Sequence, residues 1–442
     1  MNRHTLAELK ELQALPLDIK IRLSQQRIRE WINHFGENNV YVSFSGGKDS
    51  TVLLDLVRDR YPNVKAMFVD IPTQYPELRD FVATYDNVDV VRPKIGFVEV
   101  CEKYGFPLIS KEVCECVQGA RKYLTSILNE QNALTDRQTD RQTDRQTDRP
   151  YRYFYDKVTG KGKYQKKENI PSEDWISLKN PSRGGTTTSI VNSEELANIL
   201  NERMVNRKGG NNQRLAIMLG MLTKDPKHPI KANIPDKDRS QFSLEKYKFF
   251  LDAPFEISNR CCNVMKKNPA HKYYKDTGRV PITAQMASES RLRTQKWLQN
   301  SCNGFDLSIP TSNPMSFWTE QDILQYIKQK NLPICSVYGD IVEDLEGTEE
   351  VEGQMTMSDI AGWEDQGDFD AKRLPLKTTG CTRTGCVCCG FGAHLNNDTR
   401  FTDLKETHPQ MCKLLDIAKN NGYSMREAID WINEHGNLNI RY

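Results

Sequence analysis

The chain has 442 residues, more than one hydrophobic core usually supports, so two domains or one core with large insertions are expected. Its 61 basic and 59 acidic residues leave a formal charge of +2, which removes the case for a general polyanion-binding surface. No apolar run approaches the roughly 18 to 20 residues that span a bilayer. The first residues also lack the apolar core of a signal peptide, so a cytoplasmic protein with no membrane partner is expected. Twelve cysteines in that compartment point to metal ligands or redox groups rather than structural disulfides.

Residues 5–36 read as two helices, the second ending at Gly36. Val40-Tyr41-Val42-Ser43-Phe44 then has the short, β-branched and aromatic character of a buried strand, and Val52 to Val57 carries apolar residues at helical spacing. Between them lies Ser45-Gly46-Gly47-Lys48-Asp49-Ser50. A strand, a glycine-containing turn and a helix make a phosphate-binding geometry, because the orphan N–H groups of the first helical turn point at the anion. Lys48 adds a point charge, and Ser45 and Ser50 add hydroxyl donors. The spacing is not that of Walker A.

Val64–Asp70 reads as a second strand, Pro76–Phe81 opens a helix, and Val88–Val91 makes a third strand. Alternation of this kind implies right-handed crossovers and a doubly wound parallel α/β sheet, whose ligands bind beyond the carboxyl ends of the strands. Asp70 is therefore expected beside the loop, to hold a ribose or a magnesium ion, although a plain strand-ending aspartate fits as well. Residues 97–130 read as helix, with Cys101, Cys114 and Cys116 as buried small residues. A Thr-Asp-Arg-Gln repeat from Thr135 to Arg149 has nothing to bury, and a polar stretch with a basic run at Lys161–Lys167 follows it. The resulting division is 1–130, the first half of a nucleotide-binding domain; 131–245, a polar insertion; 246–340, the second half; and 341–442, a cysteine-rich segment with a helical tail.

Cys261-Cys262 and a distant Cys386-x-x-Cys389 can supply the four thiolates of an iron–sulfur cubane, and the same count could bind tetrahedral zinc. Thr319 reads as a helix N-cap with Asp322 three residues on, and Phe317 and Trp318 read as core.

The Ser-Gly-Gly-Lys-Asp-Ser loop resembles the pyrophosphate loop of the adenine-nucleotide α-hydrolase superfamily. Together with Cys261, Cys262, Cys386 and Cys389 it resembles the iron–sulfur branch of the phosphoadenosine-phosphosulfate (PAPS/APS) reductase family. That resemblance implies ATP or a related adenylyl nucleotide, Mg2+ and a [4Fe–4S] cluster on those four cysteines. It further implies nucleotide contacts from Ser290 and Arg293, with Lys266 near the cluster. Lys48, Asp49 and Arg293 become the candidate catalytic residues. Cys302, Cys381 and Cys388 are alternates in the cluster but read better as neighbouring thiols, and His394 reads as packing nearby.

The implied activity is sulfur transfer through adenylation, with a nucleic acid as one acceptor and a sulfur donor or thioredoxin-like protein as partner. One departure counts against plain sulfonucleotide reduction. Members that catalyse it end in a mobile tail with a nucleophilic cysteine, whereas here the last cysteine is Cys412, within a helical apolar pattern. A reductase that draws its thiol from elsewhere, and a non-catalytic nucleotide- and cluster-sensing regulator, are the alternatives.

Overall fold

The computed structural model describes residues 3–124, 151–156, 161–166, 175–179, 188–192, 196–198, 200–201, 211–225, 229–344, 375–395 and 398–442. The Thr-Asp-Arg-Gln repeat and residues 345–374 lie outside them. The chain forms two units, Met1–Gly96 with Cys262–Val387, and Phe97–Cys261 with Cys388–Tyr442.

The first unit opens with α1 (Leu6–Ala14), started by a Thr5–Glu8 capping box, and α2 (Leu17–Phe35), ended at Gly36 with φ +87°. β1 (Val40–Ser43), α3 (Lys48–Arg58), β2 (Lys65–Val69), α4 (Pro76–Ala83) and β3 (Val88–Val91) follow in the expected alternation. The six-stranded sheet runs Asn303–Gly304, Thr311–Ser312, Val280–Ile282, β1, β2, β3. All neighbouring pairs are parallel except the edge pair Asn303–Gly304 with Thr311–Ser312. This is the doubly wound α/β sheet that the alternation implies.

β1 is paired on both sides, so its residues bury both faces, and Val42, Phe44, Leu53, Leu54 and Val57 share a core with Trp31, Phe317 and Trp318. That places Phe317 and Trp318 in the core, as expected. Thr319 caps the helix Glu320–Lys330 through a capping box with Asp322. The Asp322 carboxylate also accepts from Lys20 Nζ at 2.7 and 2.9 Å, an ion pair buried on both sides that ties α2 to this helix.

In the second unit the span read as one helix is broken. The helix Phe97–Tyr104 stops at Gly105, and Leu108–Ile109 forms a strand parallel to Gly390–Phe391 before helix resumes over 111–124. Gly105 has φ +96°, and a Cβ there would stand 2.3 Å from the Glu256 carbonyl oxygen, so a close backbone crossing overrides the apolar pattern. Cys101, Cys114 and Cys116 are buried, as expected. The polar stretch contains two hairpins, Tyr151–Asp156 with Lys161–Lys166 and Trp175–Lys179 with Thr188–Asn192, and a helix, Asn211–Met218. The tail is helical, ending in Met425–Gly436 behind a Ser424–Glu427 capping box.

Candidate active site

The site of the first unit is built at the carboxyl end of β1. Gly46 has φ +73°, and a Cβ there would lie 3.0 Å from both Leu78 Cδ2 and Val82 Cγ2, so the turn packs flat on α4 only without a side chain. Gly47 caps α3, whose first residue is Lys48. The loop is tightened internally: Ser45 N donates to Ser50 Oγ at 3.1 Å, Gly47 N to Ser45 Oγ at 3.3 Å, and Ser50 Oγ to the Gly47 carbonyl at 2.9 Å.

Lys48 is buried (3 % exposed), which is unusual for an ammonium and demands partners. Its Nζ donates to the Thr382 carbonyl at 2.8 Å and lies 3.1 Å from Glu320 Oε1 and 3.8 Å from Asp49 Oδ1. Its backbone N–H donates to Tyr338 OH at 3.1 Å, and that hydroxyl is 2.8 Å from Thr384 Oγ1. Burial raises the Tyr338 phenol to about 12, so it stays protonated.

An open recess of about 140 Å³ adjoins the loop, lined by Lys48, Asp49, Ser288, Glu289, Glu320 and Arg383. Burial raises the Asp49 carboxyl above the usual range against the pull of Lys48, and Glu320 adds to the rise while Arg383 and Arg293 oppose it. Asp49 Oδ1 is buried with no hydrogen-bond partner. Arg293 pairs with Glu289, and Arg383 Nη1 stands 3.9 Å from the same carboxylate. Burial, and then the neighbouring Arg383, lower the Arg293 guanidinium from its ordinary value.

The sequence-derived candidates fare differently. Ser45, Gly46, Gly47, Lys48, Asp49 and Ser50 form one loop, and Arg293 stands near Asp49 and Arg383. Ser290 is the N-cap of the helix Arg291–Asn300, its side chain accepting from Arg293 N. Asp70 does not line the recess; Arg79 and Arg92 grip its two oxygens at 2.6 and 2.8 Å. Burial raises its carboxyl and the two guanidiniums more than reverse that, leaving it below the usual range.

The four cysteines divide two and two: Cys262 and Cys386 belong to the first unit, Cys261 and Cys389 to the second. Among the described residues no three His, Cys, Asp or Glu side chains gather as a metal site. On donor chemistry the set suits an iron–sulfur cluster; on placement, neither unit alone supplies four thiols from it. Lys266 falls in a π-helical turn, Asn263–Lys267. His394 packs in the second unit, with Tyr247 OH 3.1 Å from its Nε2. Cys302 is buried against Ser316 Oγ at 3.3 Å, and Cys412 is buried with Arg426 Nη2 at 3.9 Å from its sulfur.

Glu289, Glu320, Tyr338 and the Thr382–Thr384 stretch escaped the sequence reading. Glu289 and Glu320 lie in stretches that the sequence singles out, Ala287–Arg293 and the helix opening at Thr319, but nothing in the pattern marks these two side chains as neighbours of the loop.

Fold and site together define an α/β domain with a glycine-containing loop and a buried lysine at the carboxyl end of its central strand. The phosphoadenosine phosphosulfate reductase domain model matches residues 39–139 and 224–390, more than half of the chain, which therefore belongs to that family. A search of curated proteins finds no match. Among solved structures, the phosphoadenylyl-sulfate (PAPS) reductase from Candida auris, in its phosphate complex, is 12% identical over 75% of this chain and 90% of its own, with a TM-score of 0.27.

Proposed function

We propose that the chain is a sulfur-chemistry enzyme that holds ATP or an adenylyl sulfonucleotide by its phosphates at Ser45–Ser50. The observation that carries this reading is the buried Lys48 ammonium, set at the start of an 11-residue helix and beside a recess that Arg383 also lines. A buried cation at a helix N-terminus is suited to an anion that replaces its protein partners. Family membership supports a sulfonucleotide-related enzyme.

In this reading the loop amides and the Ser45 and Ser50 hydroxyls orient the phosphates, and Lys48 balances charge that builds on them as a bond to phosphorus or sulfur breaks. Arg293 would turn from Glu289 to a phosphate or sulfate oxygen. The Asp49 oxygen, buried without a hydrogen bond, suits a magnesium ion, which would screen the phosphates. Cys261, Cys262, Cys386 and Cys389 would hold the [4Fe–4S] cluster, and no step above depends on it.

With Cys412 buried in its helix and so poorly placed to attack a sulfonucleotide, sulfur transfer through adenylation is put ahead of sulfonucleotide reduction. Anaerobically purified protein is to be given ATP with candidate acceptors, or a sulfonucleotide with reduced thioredoxin. Pyrophosphate release is the expected result; sulfite release would favour reduction by an external thiol, and neither product would reduce the protein to a nucleotide-sensing regulator. The same preparation should carry on the order of four irons per chain, and a zinc-only preparation would refute the cluster.

A further inference from the structure

A stretch of the first unit lies across the phosphate loop and claims the ammonium that a phosphate there would need. The Thr382 carbonyl takes the Lys48 ammonium at 2.8 Å. Two residues on, Thr384 Oγ1 lies 2.8 Å from Tyr338 OH, and a Cβ on Gly47 would stand 3.1 Å from that threonine oxygen. Thr384 thus sits directly over the loop. Tyr338 is buried in an apolar cluster with Leu78 and Cys335, so its hydroxyl is a fixed post to which Thr384 is tied.

The stretch is fastened at its ends and little held between them. Cys381 N donates to the Val337 carbonyl at 2.8 Å, and Val387 N to the Thr73 carbonyl at 2.9 Å. Among the described residues, no N–H from Thr382 to Gly385 donates to a backbone carbonyl. Thr382, Arg383 and Gly385 are exposed, and a Cβ on Gly385 would meet nothing within 4 Å. The contacts that hold it down, a peptide carbonyl on Lys48 and a hydroxyl on Tyr338, are to uncharged oxygens. An ammonium bonds a charged phosphate oxygen roughly twice as strongly as a neutral one, so an anion can displace the carbonyl.

We propose that Thr382–Gly385 is a strap that competes with the anion, closed on Lys48 until a phosphate displaces it. The apparent affinity is then the intrinsic affinity reduced by the fraction of chains whose strap has lifted. The strap rests on the reading of Ser45–Ser50 as a phosphate loop, and it adds an expectation of sign: cutting the tie at Thr384 tightens binding, although nothing in the loop has changed.

The test titrates inorganic pyrophosphate by calorimetry into the full chain as wild type, Thr384→Val and Thr384→Ser. In parallel, trypsin cleavage after Arg383 is followed by mass spectrometry with and without pyrophosphate. Thr384→Val keeps the side-chain shape but loses one neutral hydrogen bond of the closed state, so it should bind about fivefold tighter. Thr384→Ser, which keeps the hydroxyl, should bind like wild type. Pyrophosphate should quicken cleavage after Arg383 in wild type, because proteolysis follows the lifted population. Weaker binding by Thr384→Val, or affinity within about twofold of wild type, overturns the strap, and so does cleavage that pyrophosphate slows or leaves unchanged. In those cases wild type still binds, and the nucleotide reading stands. If wild type and both variants bind no pyrophosphate, that reading fails and the strap fails with it.

Discussion

Asp49 sits where two demands conflict, since a carboxylate beside a phosphate repels it unless a cation stands between. Burial already raises this carboxyl, so its charge is lost earlier on acidification than an exposed aspartate's. Asp49→Asn should therefore tighten binding of metal-free pyrophosphate several-fold and weaken the magnesium dependence of binding. Calorimetric titration with and without magnesium checks this; an unchanged magnesium dependence would remove the proposed role. Asp70 shows the opposite sign. Its carboxyl is lowered, so its ion pairs with Arg79 and Arg92 stabilise the fold above the ordinary carboxylate pKa and lose that effect as pH falls through the lowered value. Because both arginines are substantially exposed, Asp70→Asn should cost on the order of 1 kcal/mol at neutral pH and much less in acid. Urea unfolding at two pH values measures the difference.

At the scale of elements, the strand–loop–helix around Lys48 was legible because its signals are local: an apolar run, two glycines, then helical spacing. What holds it was not legible. Tyr338 and Thr382 reach Lys48 from about 290 and 334 residues downstream, and no periodicity encodes such a meeting. The break at Gly105 was missed for the same reason, since the backbone that crosses it belongs to Glu256. The Lys20–Asp322 pair joins two helices recognised separately. Removing one partner strands a buried charge, so Asp322→Ala, which also deletes the Thr319 capping box, should cost roughly 3 to 5 kcal/mol. A denaturant midpoint close to wild type would show that water reaches Lys20.

At the scale of the molecule, each unit is made of two separated stretches of chain, and the junctions fall inside sequence features. Cys261 and Cys262 part company, as do Val387 and Cys388. Parallel pairing of Val280–Ile282 with β1 brings residues some 240 positions apart into one sheet and completes the wall on which the loop stands. Family membership and the α/β sheet were readable from motif and alternation; the division into units was not, because adjacent residues carry no mark of which core they join. The central claim is that Ser45–Ser50 binds the phosphates of a nucleotide through Lys48. The most direct measurement is calorimetric titration of reduced wild-type protein and Lys48→Ala with ATP. A lost charge-assisted contact should weaken binding by about 10- to 100-fold, with the variant's fold intact by circular dichroism; equal affinities in the two proteins would contradict the account.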